Sequence, residues 1–176
     1  TGWSGNATVT DNIVTITKET NLTATFTQDE YTLTVMVDPE NSGIVTYDPP
    51  QGPYHYGEVV TLTPTANTGY AFESWSGAEV KDNTVTITGD TTVTANFTQD
   101  EYTLTVNVDP EDSGIVTLDP PEGPYYYGDV VTLTPSANPG YSFDSWSGPE
   151  VKDNTVTITG NTTVTAHFTQ DEQGIY

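Results

Sequence analysis

With 176 residues and 34% apolar content, the chain is long enough for one large or two small domains and too short for an extensive core. Twenty-five carboxylates face three lysines and no arginine, a formal charge of −22, which argues against nucleic acid and anionic lipid as partners. The lack of cysteine excludes disulfides and thiol chemistry, and no apolar run approaches the ~20 residues of a membrane span, so no membrane insertion is expected of these residues.

Threonine supplies 35 residues, and its β-branched, hydroxylated side chain suits an extended backbone with one face wet. In chain order, Thr1 to Glu30 reads as the back half of a repeat, with Trp3 aligned to Trp75 and Phe26 to Phe97. A complete repeat, 31–101, then begins on Tyr31-Thr-Leu-Thr-Val-Met-Val37, where apolar residues alternate with threonine or methionine and predict a half-buried strand. Asp38 to Gly43 reads as a turn, Ile44–Tyr47 as a second strand, and Pro49-Pro50-Gln-Gly-Pro53 as a loop that forbids regular pairing. Val59–Thr63 predicts a third strand and Gly69–Trp75 a fourth.

The last two segments, Thr84–Thr88 and Thr92–Phe97, alternate on either side of Gly89-Asp90. They predict a hairpin closed by a type II′ turn, with Val85, Ile87, Val93, Ala95 and Phe97 on the buried face. Residues 102–172 repeat 31–101 without a gap at a period of 71, with 58 identities in 71. Thr98–Glu101 joins the copies, a link short enough to limit reorientation, and 173–176 would begin a further segment. No segment carries a helical period. The expected fold is all-β: tandem small β-domains built of antiparallel hairpins and strung as a rod.

The order of motifs carries a resemblance. Tyr31–Val35, Ser42–Val45, Tyr54–Pro64, Gly69–Gly77, Asn83–Ile87 and Thr92–Phe97, each repeated 71 residues on, resemble the divergent InlB B-repeat family. The likeness covers almost the whole chain, and its most specific part is Gly-Tyr-x-Phe-x-x-Trp followed by Thr-Val-x-Ala-x-Phe. The resemblance implies a bacterial or archaeal secreted or surface protein used as a spacer or in adhesion, its small β-domains sandwich or β-grasp-like, and it brings no catalytic residues.

Candidate sites are weighed against ordinary structure. Tyr70, Phe72 and Trp75, with Tyr141, Phe143 and Trp146, have the rings of a sugar-stacking platform but recur as a thin domain's core would. Tyr54 and Tyr56, with Tyr125 and Tyr127, are candidates for ligand or repeat–repeat contact, alternation placing each pair on one face. The acidic turns (Asp38, Glu40; Asp109, Glu111, Asp112) and linkers (Asp29, Glu30; Asp100, Glu101) offer carboxylates suited to calcium, the one cofactor considered, though in no EF-hand spacing. Asn6, Asn21, Asn96 and Asn161 head Asn-x-Ser/Thr sequons. Lys81 and Lys152, in polar turns, lack the buried setting an isopeptide bond needs. His55 is matched by Tyr126 and His167 by Asn96, so neither histidine belongs to a repeated constellation and no enzyme is expected.

The expected function is therefore that of an extracellular stalk or spacer, or an adhesive segment. Its expected partners are the neighbouring repeats, with surface glycans or host and cell-surface proteins in a binding role. Self-assembly by strand addition is the third expectation, because the half-repeat has an apolar face and no front half of its own.

Overall fold

A computed structural model describes residues 2–149 and 151–172; the segment expected to begin at 173 lies outside them. Among the described residues there is no helix. Sixteen strands follow one another. β1 (Gly2–Gly5) and β2 (Leu22–Thr25) pair antiparallel in the half-repeat. The first complete repeat contributes β3 (Leu33–Asp38), β4 (Gly43–Asp48), β5 (Val59–Ala66), β6 (Tyr70–Gly77), β7 (Val80–Lys81), β8 (Thr84–Thr86) and β9 (Thr91–Gln99). The second contributes β10 (Leu104–Asp109), β11 (Gly114–Asp119), β12 (Val130–Ala137), β13 (Tyr141–Ser147), β14 (Val151–Lys152), β15 (Thr155–Thr157) and β16 (Thr162–Gln170).

Two compact units divide the described residues, one of 2–36, 46–63 and 76–93, the other of 37–45, 64–75, 94–149 and 151–172. The second repeat lies wholly in the latter and displays the domain in full. Its strands form a three-stranded sheet, β10-β16-β13, and a four-stranded sheet, β11-β12-β15-β14. Val164, Ala166 and Phe168 of the first sheet and Val131, Leu133 and Val156 of the second are all buried. Tyr125, Ile158 and the half-buried Leu104, Val106, Val116, Leu118 and Trp146 complete this core. Of the two architectures expected, this is the sandwich: two thin sheets each bury one face against the other.

The period-two alternation holds in strands of both complete repeats, with β12 reading exposed–buried–exposed–buried from Val130 to Leu133 and β5 the same from Val59 to Leu62. The expected hairpin does not. Thr155–Thr157 pairs with β12 on one side and β14 on the other, so both its edges are taken. β16 instead runs parallel to β10 (Val106 opposite Val164) and antiparallel to β13. The turn between them has no positive φ at Gly160 or Gly89, so it is not type II′.

This turn is a crossover between sheets, and its hydrogen bonds say why. The Thr162 N–H donates to the Thr103 carbonyl at 2.9 Å, and Asn161 Oδ1 accepts from the Thr103 N–H at 3.0 Å and its Oγ1 at 3.2 Å. These bonds steer the chain onto the start of the second repeat. In the first repeat Asp90 Oδ1 takes both bonds from Thr32, each at 2.9 Å. The Asp90/Asn161 exchange therefore keeps an acceptor oxygen and changes only its charge.

The hairpin that does form lies one strand earlier. Asp153 and Asn154 have φ of 49° and 58° between β14 and β15, the two left-handed central residues of a type I′ turn. Asp82 and Asn83 do the same between β7 and β8, and Asp11 and Asn12 do so between the bridged Thr10 and Ile13. Lys81 and Lys152 flank these turns and are exposed, away from the buried setting of an isopeptide lysine.

A β-bulge between Phe143 and Ser145 explains the Tyr-x-Phe-x-x-Trp spacing. Strict alternation would turn Trp146 away from Phe143; the extra residue restores it to the same face. Phe143 then stands 5.1 Å from Trp146 and 5.6 Å edge-on from Phe168, and Phe72 meets Trp75 and Phe97 at 5.1 and 5.5 Å in the first repeat. These rings are core packing. The glycine of Trp-Ser-Gly is forced by proximity: at Gly148 (φ +118°) a Cβ would stand 2.5 Å from the Thr163 carbonyl oxygen.

Candidate functional site

Each complete repeat carries a groove between the start of its first strand and its proline loop. In the second repeat Tyr102 and Tyr125 are bridged backbone to backbone, the Tyr102 N–H to the Tyr125 carbonyl at 2.7 Å and the Tyr125 N–H to the Tyr102 carbonyl at 3.0 Å. Tyr102, Leu104, Leu118, Pro121, Pro124 and Tyr125 line a cavity of about 580 Å³ with Glu101 and Glu122 beside it. In the first repeat Tyr31, Leu33, Tyr47, Pro53 and Tyr54 line a smaller one of about 330 Å³. Tyr47 lines the first groove where Leu118 lines the second. Rings and prolines with carboxylates nearby offer apolar faces for stacking and acceptors for hydroxyl donors.

The tyrosines do not divide as alternation suggested. Tyr54 and Tyr125 are each 3% exposed, and their hydroxyls donate to the carbonyls of Pro49 (2.8 Å) and Pro120 (3.0 Å). They form the floor of the groove and belong to the core. Burial, reinforced by Tyr47 and Glu58 at Tyr54 and by Glu122 at Tyr125, pushes both phenols above their usual range. Tyr102 is pushed up by desolvation and then by Asp100, whose carboxylate accepts its hydroxyl at 3.4 Å.

Tyr56 and Tyr127 point elsewhere, 69% and 44% exposed. Strand alternation fails between them and the buried pair because the chain turns here. The His55 N–H donates to the Glu58 carboxylate at 2.7 Å and the Tyr126 N–H to Asp129 at 2.8 Å.

The carboxylates considered for calcium are dispersed. Among the described residues no three histidine, aspartate or glutamate side chains converge as a metal would require. Asp29, Glu30, Asp38, Glu40, Glu101, Asp109, Glu111 and Asp112 are exposed, and Asp100 is half-buried. Asp112 and its counterpart Asn41 have φ of 62° and 65°, so this position is set by the left-handed conformation that Asn and Asp tolerate. Of the sequon asparagines, Asn6 Nδ2 donates to the Glu19 carbonyl at 3.2 Å and Asn96 Nδ2 to Ser74 Oγ at 3.3 Å. Asn161 serves the crossover, and the Asn21 N–H donates to Asn6 Oδ1 at 2.9 Å.

One constellation escapes the sequence altogether. Ser147 Oγ lies 2.6 Å from His167 Nε2, and His167 Nδ1 lies 3.1 Å from Asp109 Oδ2. The order matches a nucleophile, base and orienting acid. The three residues sit on neighbouring strands of the outer face, and Asp109 is 66% exposed, so solvent screens its charge. The equivalent of His167 in the first repeat is Asn96, whose amide cannot serve as a base. We read the line as a cross-strand polar ladder. Only the parallel pairing of β10 with β16 brings Asp109 opposite His167, and no local signal announces that pairing.

Comparison with known proteins agrees with the repeat architecture. The family model of the divergent InlB B-repeat domain matches twice, over residues 32–101 and 104–172. No curated protein matches the chain. Domains of this kind are structural repeats of surface proteins and not an enzyme family, and among the described residues no helix is long and apolar enough to cross a membrane. The chain belongs to the divergent InlB B-repeat family.

Proposed function

We propose that the chain is a non-enzymatic spacer segment of a prokaryotic cell-surface or secreted protein, working outside the cell. The observation that supports this reading most directly is the junction between the repeats. β9 ends at Gln99 and the next repeat is already bridged at Tyr102, so two near-identical domains follow each other with almost no free chain. In such an array reach scales with the number of repeats, and nearest-neighbour contacts set stiffness. The charge of −22 keeps neighbouring molecules apart. The test is small-angle scattering on chains of one, two and three repeats. A constant increment in maximum dimension per added repeat supports the reading, and a dimension that stops growing sinks it.

The recurring tyrosine–proline groove favours a second reading, a carbohydrate- or protein-binding module. A glycan array settles it: binding that is lost in Tyr102→Ala together with Tyr31→Ala would replace the spacer reading with an adhesive one. The half-repeat favours a third. Its Phe26 is 79% exposed where Phe97 and Phe168 are 4% exposed, and Trp3, Ile13 and Ile16 are exposed beside it. A segment of another copy that covered this face would link molecules by strand addition. Concentration-dependent polymers that vanish when residues 1–30 are deleted are its signature.

A further inference from the structure

The junction holds a loop from each repeat. Of its residues, Asp100 donates its N–H to the Gly69 carbonyl at 2.8 Å, while Tyr102 is bonded on both sides to Tyr125. The Gly69 turn of one repeat and the Tyr125–Gly128 turn of the next are therefore brought to the same short stretch of backbone. There Tyr127 lies against Gly69: a Cβ on Gly69 would stand 2.6 Å from Tyr127 Cβ and 3.3 Å from its Cγ. Both residues belong to the second compact unit.

The molecule supplies its own control. Gly140 is the same residue one repeat later, with φ of 85° against 82° at Gly69 and the same bond, from the Asp171 N–H, at 2.8 Å. Among the described residues, a Cβ there would meet nothing within 4 Å. Gly140 is exposed and Gly69 buried. Tyr127, against a glycine turn, is 44% exposed and Tyr56 69%. Dihedral and hydrogen bond are matched, although Thr68 precedes one glycine and Pro139 the other, and among the described residues a tyrosine meets Gly69 and none meets Gly140.

We propose that Tyr127 and Gly69 form a repeat-to-repeat joint, in which the second tyrosine of Tyr-x-Tyr-Gly seats on the glycine turn of the repeat before it. The partner of this surface is the adjoining repeat of the same chain. Glycine is required twice over, for its left-handed φ and because any side chain would occupy the tyrosine's place. The joint deepens the spacer reading by naming the contact that stiffens it, yet it rests on the contact alone: a flexible spacer would lack it, and a binding array would still have it.

The test is cleavage after Glu101 by an acid-specific endoprotease, under conditions where cleavage tracks the open population. The area difference between the two tyrosines, a quarter of a side chain or ~50 Å², corresponds to about a tenfold change in the undocked population. Tyr127→Ala and Gly69→Ala are expected to speed cleavage at Glu101 about tenfold, and Tyr56→Ala and Gly140→Ala to leave it unchanged. Gly140→Ala carries the same backbone strain as Gly69→Ala, so their difference isolates the joint. Should Gly69→Ala fail to fold, the tyrosine pair decides. Equal cleavage of Tyr127→Ala and Tyr56→Ala overturns the proposal, whatever the scattering of longer arrays shows.

Discussion

Substitutions at Asn154 separate two duties that one residue performs. Its backbone, at φ 58°, is the second central residue of the β14–β15 turn, and its Oδ1 accepts the Trp146 indole N–H at 3.0 Å. Asn154→Asp keeps the acceptor and tolerates the left-handed region, so its cost stays within ~0.5 kcal/mol. Asn154→Gly keeps the backbone and loses the acceptor. Trp146 is only half-buried, so water reaches the freed N–H and the loss is about 1 kcal/mol, with ~0.5 kcal/mol more from glycine's freer unfolded chain. Asn154→Ala loses the same bond and adds ~1–2 kcal/mol for a Cβ at positive φ, a total of about 2–3 kcal/mol.

The assay is urea unfolding followed by NMR cross-peaks of the second repeat, which keeps the nearly identical first repeat out of the readout. The expected order of stability is wild type, Asp, Gly, Ala. Equal costs for Gly and Ala would hold the strain of the left-handed turn to ~0.5 kcal/mol, below the range expected for a Cβ at positive φ. A cost for Asp as large as that for Gly would remove the indole bond from the account.

Three further outcomes are expected. Ile158 is fully buried and Val130 largely exposed, so Ile158→Ala should cost about 3–4 kcal/mol and Val130→Ala under ~0.5 kcal/mol in the same unfolding experiment; similar costs would refute the two-sheet core. Asp90 is held below the usual carboxylate range by the Thr32 N–H and then its Oγ1. Its contribution is thus present above the ordinary carboxylate pKa and lost as pH falls through the lowered value. Asp90→Asn, which copies Asn161, should flatten the acid side of a melting-temperature profile, and parallel profiles for the two proteins would contradict this. Calcium at millimolar concentration should leave the melting temperature unmoved; a saturable rise reversed by chelator would establish a site despite the dispersed carboxylates.

Much of the domain was legible from residue order because the information is local. Alternation along Val59–Leu62 and Val93–Phe97 marks the buried face whatever those strands pair with, and an X-Pro-rich stretch cannot be a central strand in any fold. Two further local signals were there to be read: Asp-Asn at the centre of a short turn specifies type I′, and the two residues between Phe143 and Trp146 specify a bulge.

Pairing was another matter. Thr155–Thr159 and Thr162–Phe168 look like two arms of a hairpin, because alternation reports a face and says nothing of the neighbour. Asn161 and Thr103, 58 residues apart, decide that the second arm joins β10. The same limit hid the Ser147–His167–Asp109 line and the burial of Tyr54 and Tyr125.

The sequence by itself determined that this is a repeated, acidic, all-β protein, since composition, period and alternation survive any arrangement of strands. Tertiary structure alone decided which sheet each strand entered and what Tyr127 touches. Those depend on contacts between residues far apart in the chain, such as Asn161 with Thr103 and Tyr127 with Gly69.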